Sequence, residues 1–489
     1  MDPATDQKPT YDQLEAENER LRCEINNLKR LIFGQKRERF VPEHNDHQLD
    51  FLVTQTDKAA PSPPQTEHIK YTRKKRKKSK PPSRGALPTH LPRKDVVIEP
   101  DEDITGMKKI GEEITEELDY DPGTLFVTRY IRPKYARPKG EGVVIGLLPT
   151  RPIEKGMAGP GLLAHLTISK YVDHLPLYRQ QQQFKRVGVE LAESTLCGWI
   201  KAGYELILPL AELIEKQVLQ STYLMVDETT IKVQDPLKKG TTHLGYYWVY
   251  YDPLHPRVFF NYQKRRSRDG PNTILKNFSG FLQTDGYQGY NDLALKPDIT
   301  AVGCMAHARR YFVDAEDSDS ERASWMLHHI QILYAIERYA RENQLSFDQR
   351  YQERQKAAVL VMKEIKKWLD AESKRVLPKS LMGKAITYML NHWPRLEIYL
   401  TDGRLEIDNN LVENAIRPIA LGRKNYLFAG SHKGAKRAAA IYTLVANAKL
   451  QEVEPFVYLR DILRRISDHP YKKLDQLLPE KWKKQYLSA

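Results

Sequence analysis

Residues 221–315 carry the pattern that narrows the possible folds furthest. Three runs rich in aromatic and β-branched residues are separated by turn signals and predict strands joined by hairpins: TYLMVDETTIKV, HLGYYWVYYD and RVFFNYQ. Runs of helical and strand character then alternate as far as the helix AHARRYFVDAE. The order β-β-β-α-β-α-β-α predicts a mixed sheet covered by helices.

Three acidic residues stand at informative places in and after this pattern. Asp227 follows the apolar run YLMV inside the first strand, where a carboxylate is costly unless it is paired or binds a metal. Asp285 is expected to end the next strand, and Glu413 to lie in the first turns of a helix capped by Asn409 or Asn410. Converging carboxylates can hold two Mg²⁺ or Mn²⁺ ions, which prefer oxygen ligands.

The rest of the chain predicts a multidomain α+β protein. Heptad spacing of Leu14, Leu21 and Leu28 favours a short dimeric coiled coil, with a helix docked on its own protein as the alternative. The predicted segments are a coiled coil (1–40), a disordered basic linker (41–94), a small β module (95–150), a helical DNA-binding region (151–220), the first part of a core (221–319), an all-helical insertion (320–402), the last part of the core (403–450) and a helical tail (451–489).

Within the helical region, residues 177–200 resemble a helix-turn-helix. One helix is expected over about 177–186, with Gly188 in the turn and a second helix opening at Glu193 or Ser194. Ser194 and Thr195 can then offer polar groups to a major groove, although plain helical packing is an equal alternative.

Positive charge is concentrated in one short stretch. The chain carries 77 basic and 63 acidic residues, a net charge of +14, and residues 67–94 contain 11 basic and one acidic residue, a net +10. This stretch predicts DNA-phosphate contacts through five consecutive residues, or else a solvated linker without a partner: Lys74, Lys75, Arg76, Lys77 and Lys78.

Basic residues also flank the third acid. Arg417, Arg423 and Lys424 follow Glu413 on the same predicted helix. Arg417 lies four residues after Glu413, so it can form an intrahelical ion pair or reach a DNA phosphate.

Cysteine content and hydropathy limit the cellular compartments in which the chain is expected. Three scattered cysteines exclude a disulfide scaffold and favour a reducing cytoplasm. No apolar run reaches the length of a membrane span, and the first residues do not read as a secretory signal, so no membrane partner is expected.

Several motifs resemble those of the insertion-sequence-66 family of DDE transposases. They run nearly end to end and include LKRLIFGQKRERF, HLPLYRQQQQFKRVGVELAESTLCGWI, MVDET, TDGYQGY, GCMAHARRYF and IDNNLVENAIRPIALGRKNYLFAGS. The resemblance implies an RNase H-like core interrupted by the helical insertion. It also implies that Asp227, Asp285 and Glu413 form a catalytic triad that binds the two metal ions.

The resemblance also implies a reaction and partners. The reaction is cleavage at the ends of a bacterial mobile element, followed by attack of the freed 3′-hydroxyl on target DNA. The partners are the terminal repeats, target DNA, a second or further copies of the chain, and small accessory proteins of the same element, with nucleoid association when DNA is bound. Cys304 and His307 would support the site structurally.

One departure from the family concerns zinc. Relatives carry a Cys-x-x-Cys in the stretch matching YARPKGEG, where this chain has Arg137 and Gly140. A structural zinc site needs about four thiolate or imidazole ligands. We therefore do not expect zinc, and we expect the β module to be a degenerate zinc-finger-like unit.

Other functions remain compatible with the same residues. A metal-dependent nuclease without strand transfer would need the same acids. A catalytically inactive DNA-binding regulator would keep the basic regions, and a coiled-coil scaffold protein would show no charge-dependent DNA affinity.

Overall fold

A computed structural model describes residues 87–487, apart from residue 122, residues 138–141 and residues 236–239. The predicted coiled coil and all of the linker before residue 87 lie outside these residues. Within the described part of the chain the strands form two sheets. No helix there is both long enough and apolar enough to cross a membrane.

The first sheet is built around a long hairpin. It pairs the strands in the order β1-β3-β2, with β4 on β3; the strands are β1 (Arg93–Val97), β2 (Lys108–Asp121), β3 (Thr124–Ala136) and β4 (Val143–Ile145). Strands β2 and β3 are antiparallel, whereas β1 runs parallel to β3. Gly123 follows the β2 strand end with a φ of +88°, a conformation that glycine adopts without steric cost. The sheet begins at Arg93, two residues before the start expected for the β module.

Three helices link the two sheets along the chain: α1 (Pro160–Tyr171), α2 (Leu177–Arg186) and α3 (Glu193–Leu219). The turn between α2 and α3 contains Gly188 with a φ of +79°. The bounds expected for the helix-turn-helix are therefore confirmed. The second helix is longer than such motifs require, since it continues through Pro209 for 27 residues.

The second sheet has the order β7-β6-β5-β8-β9. Its strands are β5 (Tyr223–Gln234), β6 (Thr242–Asp252), β7 (Arg257–Gln263), β8 (Gly280–Gln283) and β9 (Ile299–Val302). The hairpin-linked β5, β6 and β7 are antiparallel, and β8 and β9 add to β5 in parallel. Three helices follow β7, β8 and β9 in turn, which confirms the expected element order: α4 (Asp269–Ile274), α5 (Asn291–Ala294) and α6 (Met305–Ala315).

The predicted bounds of one helix and one strand in this part of the chain were wrong. The helix expected over NTILKNF spans Asp269–Ile274 instead, since Pro271 at its start fits the first turn of a helix. The strand expected to end at Asp285 ends at Gln283, so that Asp285 lies in the following loop. The short pairing of β8 with β5, which stops at Met225↔Gln283, accounts for the early end.

The C-terminal half of the described chain is helical. Four helices separate the sheet from the segment with Glu413: α7 (Ser320–Glu342), α8 (Phe347–Glu353), α9 (Val359–Glu372) and α10 (Leu381–Leu396), with a π-helical turn (Arg354–Ala358) joining α8 to α9. Four more follow: α11 (Asn410–Tyr426), α12 (His432–Leu450), α13 (Pro455–Arg465) and α14 (Pro479–Leu487). Short 3₁₀ turns lie at Gln288–Tyr290, Ile398–Thr401 and Tyr471–Leu477.

Helix α12 covers the edge strand β7. The backbone N–H groups of Val258 and Phe260 donate to Asn447 Oδ1 and Thr443 Oγ1, each at 3.1 Å. These polar side chains of α12 thus satisfy backbone groups that an edge strand otherwise leaves open to another strand.

Candidate metal and catalytic site

Strand register brings the first two acids together. Strands β5 and β8 pair in parallel with Met225 opposite Gln283. Asp227 lies two residues farther along β5, on the same face as Met225, and Asp285 lies two residues beyond Gln283 in the loop after β8. The loop holds Asp285 in place, because the backbone N–H of Tyr287 donates to its Oδ1 at 2.9 Å.

A further carboxylate, Glu228, belongs to the same group. Carboxylate oxygens of Asp227, Glu228 and Asp285 all lie within 4.8 Å of one another. Sequence reasoning missed Glu228 because strict alternation along a strand places neighbouring side chains on opposite faces. Its only sequence signal was its position next to Asp227 in MVDET.

Glu228 is held by hydrogen bonds from two other residues. Arg266 Nε donates to its Oε1 at 2.6 Å, and the hydroxyl of the buried Tyr290 donates to its Oε2 at 3.0 Å. The Arg266 guanidinium also lies 3.7 Å from the centre of the Tyr287 ring. Through Tyr287, this network reaches the loop that positions Asp285.

Glu413 lies in the first turn of α11, as expected. It is outside the group of three carboxylates within 4.8 Å, but its negative charge still acts on Asp227. Burial raises the pKa of Asp227 well above its usual range, and the charges of Asp285, Glu228 and Glu413 raise it further. Glu413 therefore lies close enough to Asp227 for its charge to affect that carboxyl.

The start of α11 is anchored by the start of α6. The buried Cys304 Sγ donates to Asn409 Oδ1 at 2.9 Å, and the backbone N–H of Met305 donates to the carbonyl of Ile407 at 3.0 Å. His307 Nε2 lies 3.9 Å from Glu413 Oε1. Cys304 and His307 thus contact the segment that carries the third acid.

The expected side-chain cap of α11 was wrong. Asn409 occupies the N-cap position, but its side chain makes no cap hydrogen bond. Its amide oxygen instead accepts from Cys304, so the residue joins two helix starts rather than closing one.

The residues expected to contact DNA lie in several places. Ser194 is exposed and Thr195 half-buried in the first turn of α3, while Arg417 and Lys424 are exposed on α11. Arg423 is half-buried, and its Nη1 donates to Thr229 Oγ1 at 3.0 Å and to the Thr230 carbonyl at 2.8 Å, which ties α11 to β5. The five basic residues from Lys74 to Lys78 lie outside the described residues.

The chemistry of the donors fits a hard divalent cation. Mg²⁺ and Mn²⁺ take oxygen ligands, and the group formed by Asp227, Glu228 and Asp285 offers carboxylate oxygens alone. The mutual repulsion that raises the pKa of Asp227 is relieved when a cation lies between the charges. Glu228 is the least available of the three, since Arg266 and Tyr290 already occupy both of its oxygens.

Three curated proteins of Sinorhizobium fredii (strain NBRC 101917 / NGR234) are similar along nearly the whole chain. Uncharacterized protein y4jD is 34% identical over 95% of this chain and 94% of its own length. Uncharacterized proteins y4hP and y4qI are 32% and 35% identical, over 95% and 93% of this chain and 89% and 87% of their own lengths.

Family models match most of the chain. They are a transposase C of IS166 homeodomain over residues 20–96, a zinc-finger binding domain of transposase IS66 over 103–137, the transposase IS66 family over 155–437 and an IS66 C-terminal element over 443–479. Residues 103–137 contain neither cysteine nor histidine, the residue types that make up most structural zinc sites. In this chain the matched stretch forms the β2–β3 hairpin. Taken with the carboxylate group formed by Asp227, Glu228 and Asp285, these matches show that the chain belongs to the IS66 family of transposases.

Proposed function

We propose that the protein cleaves DNA strands at the ends of a mobile element and joins the freed 3′-hydroxyl ends to target DNA. The observation that carries the proposal is the closeness of Asp227, on β5, to Asp285, in the loop after the neighbouring parallel strand β8, with Glu413 at the start of α11. The strand order β7-β6-β5-β8-β9 supports an RNase H-like core. Helices α7 to α10, between Asp285 and Glu413, support an inserted helical segment.

In this proposal the acids hold two Mg²⁺ or Mn²⁺ ions. The chemistry that such ions would supply when bound is activation of water at neutral pH and stabilisation of the leaving oxygen of an in-line displacement at phosphorus. Asp227 on β5 and Asp285 in the loop after β8 would serve as ligands, and Glu413 would complete the set from α11. Arg266 and Tyr290 hold Glu228 and, through Tyr287, keep the Asp285 loop in place.

The proposal assigns DNA partners and an assembly. Element terminal repeats and target DNA are the substrates, and Arg417, Lys424 and the basic stretch around Lys74–Lys78 contact phosphates. Residues 1–40 bring two or more copies of the chain together so that two element ends are processed in one complex.

The test is the Glu413→Gln variant, which keeps the size of the side chain and removes its charge. We expect Mg²⁺-dependent cleavage of element-end DNA to fall by about 10³-fold or more. The matched control is Glu364→Gln, an exposed acid on α9, which should cleave at the wild-type rate. Full activity in Glu413→Gln would overturn the catalytic assignment.

A second assay separates transposition from simple nuclease action. Pre-cleaved element ends with free 3′-hydroxyls, incubated with plasmid DNA and Mg²⁺, should yield covalently joined products. Cleavage of uncut ends without any joined product would identify the chain as a nuclease. DNA binding without either reaction would identify a regulator.

A further inference from the structure

The backbone is strained where α11 ends, next to two exposed apolar side chains. Leu427 has a φ of +60° and a ψ of −43°, and the N–H of Phe428 donates to the carbonyl of Tyr426 at 2.6 Å. This is a three-residue γ-turn of the rare type with positive φ, which a leucine adopts only at a cost. Leu427 is nevertheless 63% exposed and Phe428 43% exposed.

The protein holds this turn from both sides. Before it, Arg423 ties the last turns of α11 to Thr229 and Thr230. After it, Ala429 pairs with the end of β5: its N–H donates to the Lys232 carbonyl and its carbonyl accepts from Gln234, each at 2.8 Å. The fixed flanks force Leu427 and Phe428 outward as a two-residue projection. Strain of this kind persists where the surrounding structure over-determines it and is concentrated at functional sites.

The charge around the projection identifies the partner. Residues 414–451 contain seven Lys and Arg residues and no Asp or Glu. Lys424, Lys433 and Lys436 are exposed, and Lys232 beside Ala429 is exposed as well. An apolar pair set in a basic surface suits DNA, whose phosphates need cations and whose base stacks admit apolar side chains.

We propose that Leu427 and Phe428 form an apolar wedge that enters the base stack of bound DNA. Inserted apolar side chains unstack and kink a duplex, and aromatic rings stack on bases of any sequence. This inference rests on the proposed function insofar as the DNA is an element end.

The length of α11 sets the distance between the wedge and Glu413. Leu427 lies 14 residues after Glu413 on α11, so the two are about 21 Å apart along the helix axis. At about 3.4 Å per base step, DNA that follows α11 would be unstacked about six steps from the cleaved phosphate.

The experiment uses full-length protein and element-end duplexes that carry 2-aminopurine at single positions within ten base pairs of the cleavage site. Binding is measured without divalent metal, so the result does not depend on catalysis. We expect the fluorescence of one position, about six steps from the cleavage site, to rise several-fold on binding, because 2-aminopurine brightens when it unstacks.

The variants separate a wedge from a merely exposed patch. Leu427→Gly with Phe428→Ala removes both side chains and, since glycine adopts positive φ freely, should not lower the melting temperature. It should abolish the fluorescence rise and weaken duplex binding about tenfold. Phe428→Trp should retain the signal, and Leu421→Ala, at another exposed leucine of α11, should change neither quantity.

Several outcomes would overturn the wedge. One is an unchanged fluorescence rise in the double variant. Another is the absence of any bright position for wild-type protein that binds and cleaves the DNA; this result would leave the catalytic proposal intact. Altered oligomeric state in sedimentation with unchanged DNA affinity would instead assign the pair to a protein contact.

Discussion

Glu117 is a buried acid whose neighbours stabilise its negative charge only weakly. It lies on β2 with its side chain 3% exposed, and among the described residues no donor hydrogen-bonds to its Oε2. Arg151 Nε is 3.9 Å away. Burial and, to a smaller extent, the charge of Asp119 outweigh the opposing effect of Arg151 and together raise the pKa of Glu117 from 4.5 to about 7.

This shift makes stability depend on pH. Between about pH 4.5 and pH 7 the folded chain binds the Glu117 proton and the unfolded chain releases it, so stability falls as pH rises through this window. Glu117→Gln should therefore raise the free energy of unfolding at pH 8 by roughly 1–3 kcal/mol and leave it nearly unchanged at pH 4.5.

Urea unfolding at the two pH values measures the effect. Glu190→Gln, at an exposed acid between α2 and α3, is the control and should show no such difference. Equal stability of Glu117→Gln and wild type at pH 8 would mean that Glu117 is compensated in the folded protein.

At the residue scale, spacing predicts some neighbours and misses others. Asp227 was singled out because a carboxylate in an apolar strand needs a partner or a metal, and the neighbours found around it are other carboxylates, Glu228 and Asp285. Arg266 was missed because its ion pair with Glu228 joins residues 38 positions apart. No local pattern encodes a pairing of that kind.

At the scale of elements, a buried ionic cluster locks the helices between Asp285 and Glu413. Glu337 on α7 accepts from Arg350 on α8 and from Arg354 in the π-helical turn. Burial alone would raise the pKa of Glu337, but the hydrogen bonds and charges of the two arginines lower it overall. Arg350 also donates to Glu406, and Arg354 donates to the Leu405 carbonyl. Both acceptors lie on the segment that leads into α11.

Removing the shared carboxylate should be costly. Glu337→Ala removes the carboxylate that two buried guanidiniums share, and we expect a loss of about 3–5 kcal/mol in the free energy of unfolding. Asp370→Ala, which breaks only the surface pair with Lys366 on α9, should cost no more than about 0.5 kcal/mol. The urea midpoints of unfolding of the two variants measure the difference. Similar midpoints would show that the cluster adds little to the stability of the folded protein.

The bounds of α2 and α3 were easier to predict than the end of β8. Periodic apolar residues and turn glycines define α2 and α3 locally, so their bounds agree with expectation. The end of β8 depends on where its partner β5 stops pairing, which local sequence does not reveal.

At the scale of the whole molecule, charge is divided between two roles. Residues 67–94 carry about +10 of the net +14, whereas the candidate site is acidic. Phosphate contacts of Lys and Arg release counterions and raise affinity without reading sequence.

Deleting residues 70–80 should therefore weaken DNA binding about equally for element-end and unrelated duplexes. The deletion removes eight basic residues, so the slope of log affinity against log salt should flatten by up to about 7. Fluorescence anisotropy over 50–200 mM salt measures both quantities. A loss confined to element-end DNA would show that this stretch reads sequence.

By itself, the sequence determined the order of strands and helices in the core, the identity of three acids, the concentration of positive charge and the absence of zinc-type ligands from residues 103–137. These are properties of local periodicity and composition. The tertiary structure alone decided that Glu228 joins Asp227 and Asp285, that Cys304 engages Asn409 instead of leaving it to cap α11, and that Leu427 is held in a strained turn. Each of these depends on strand register or on contacts between residues far apart in the chain, and neither is written in any short stretch of sequence.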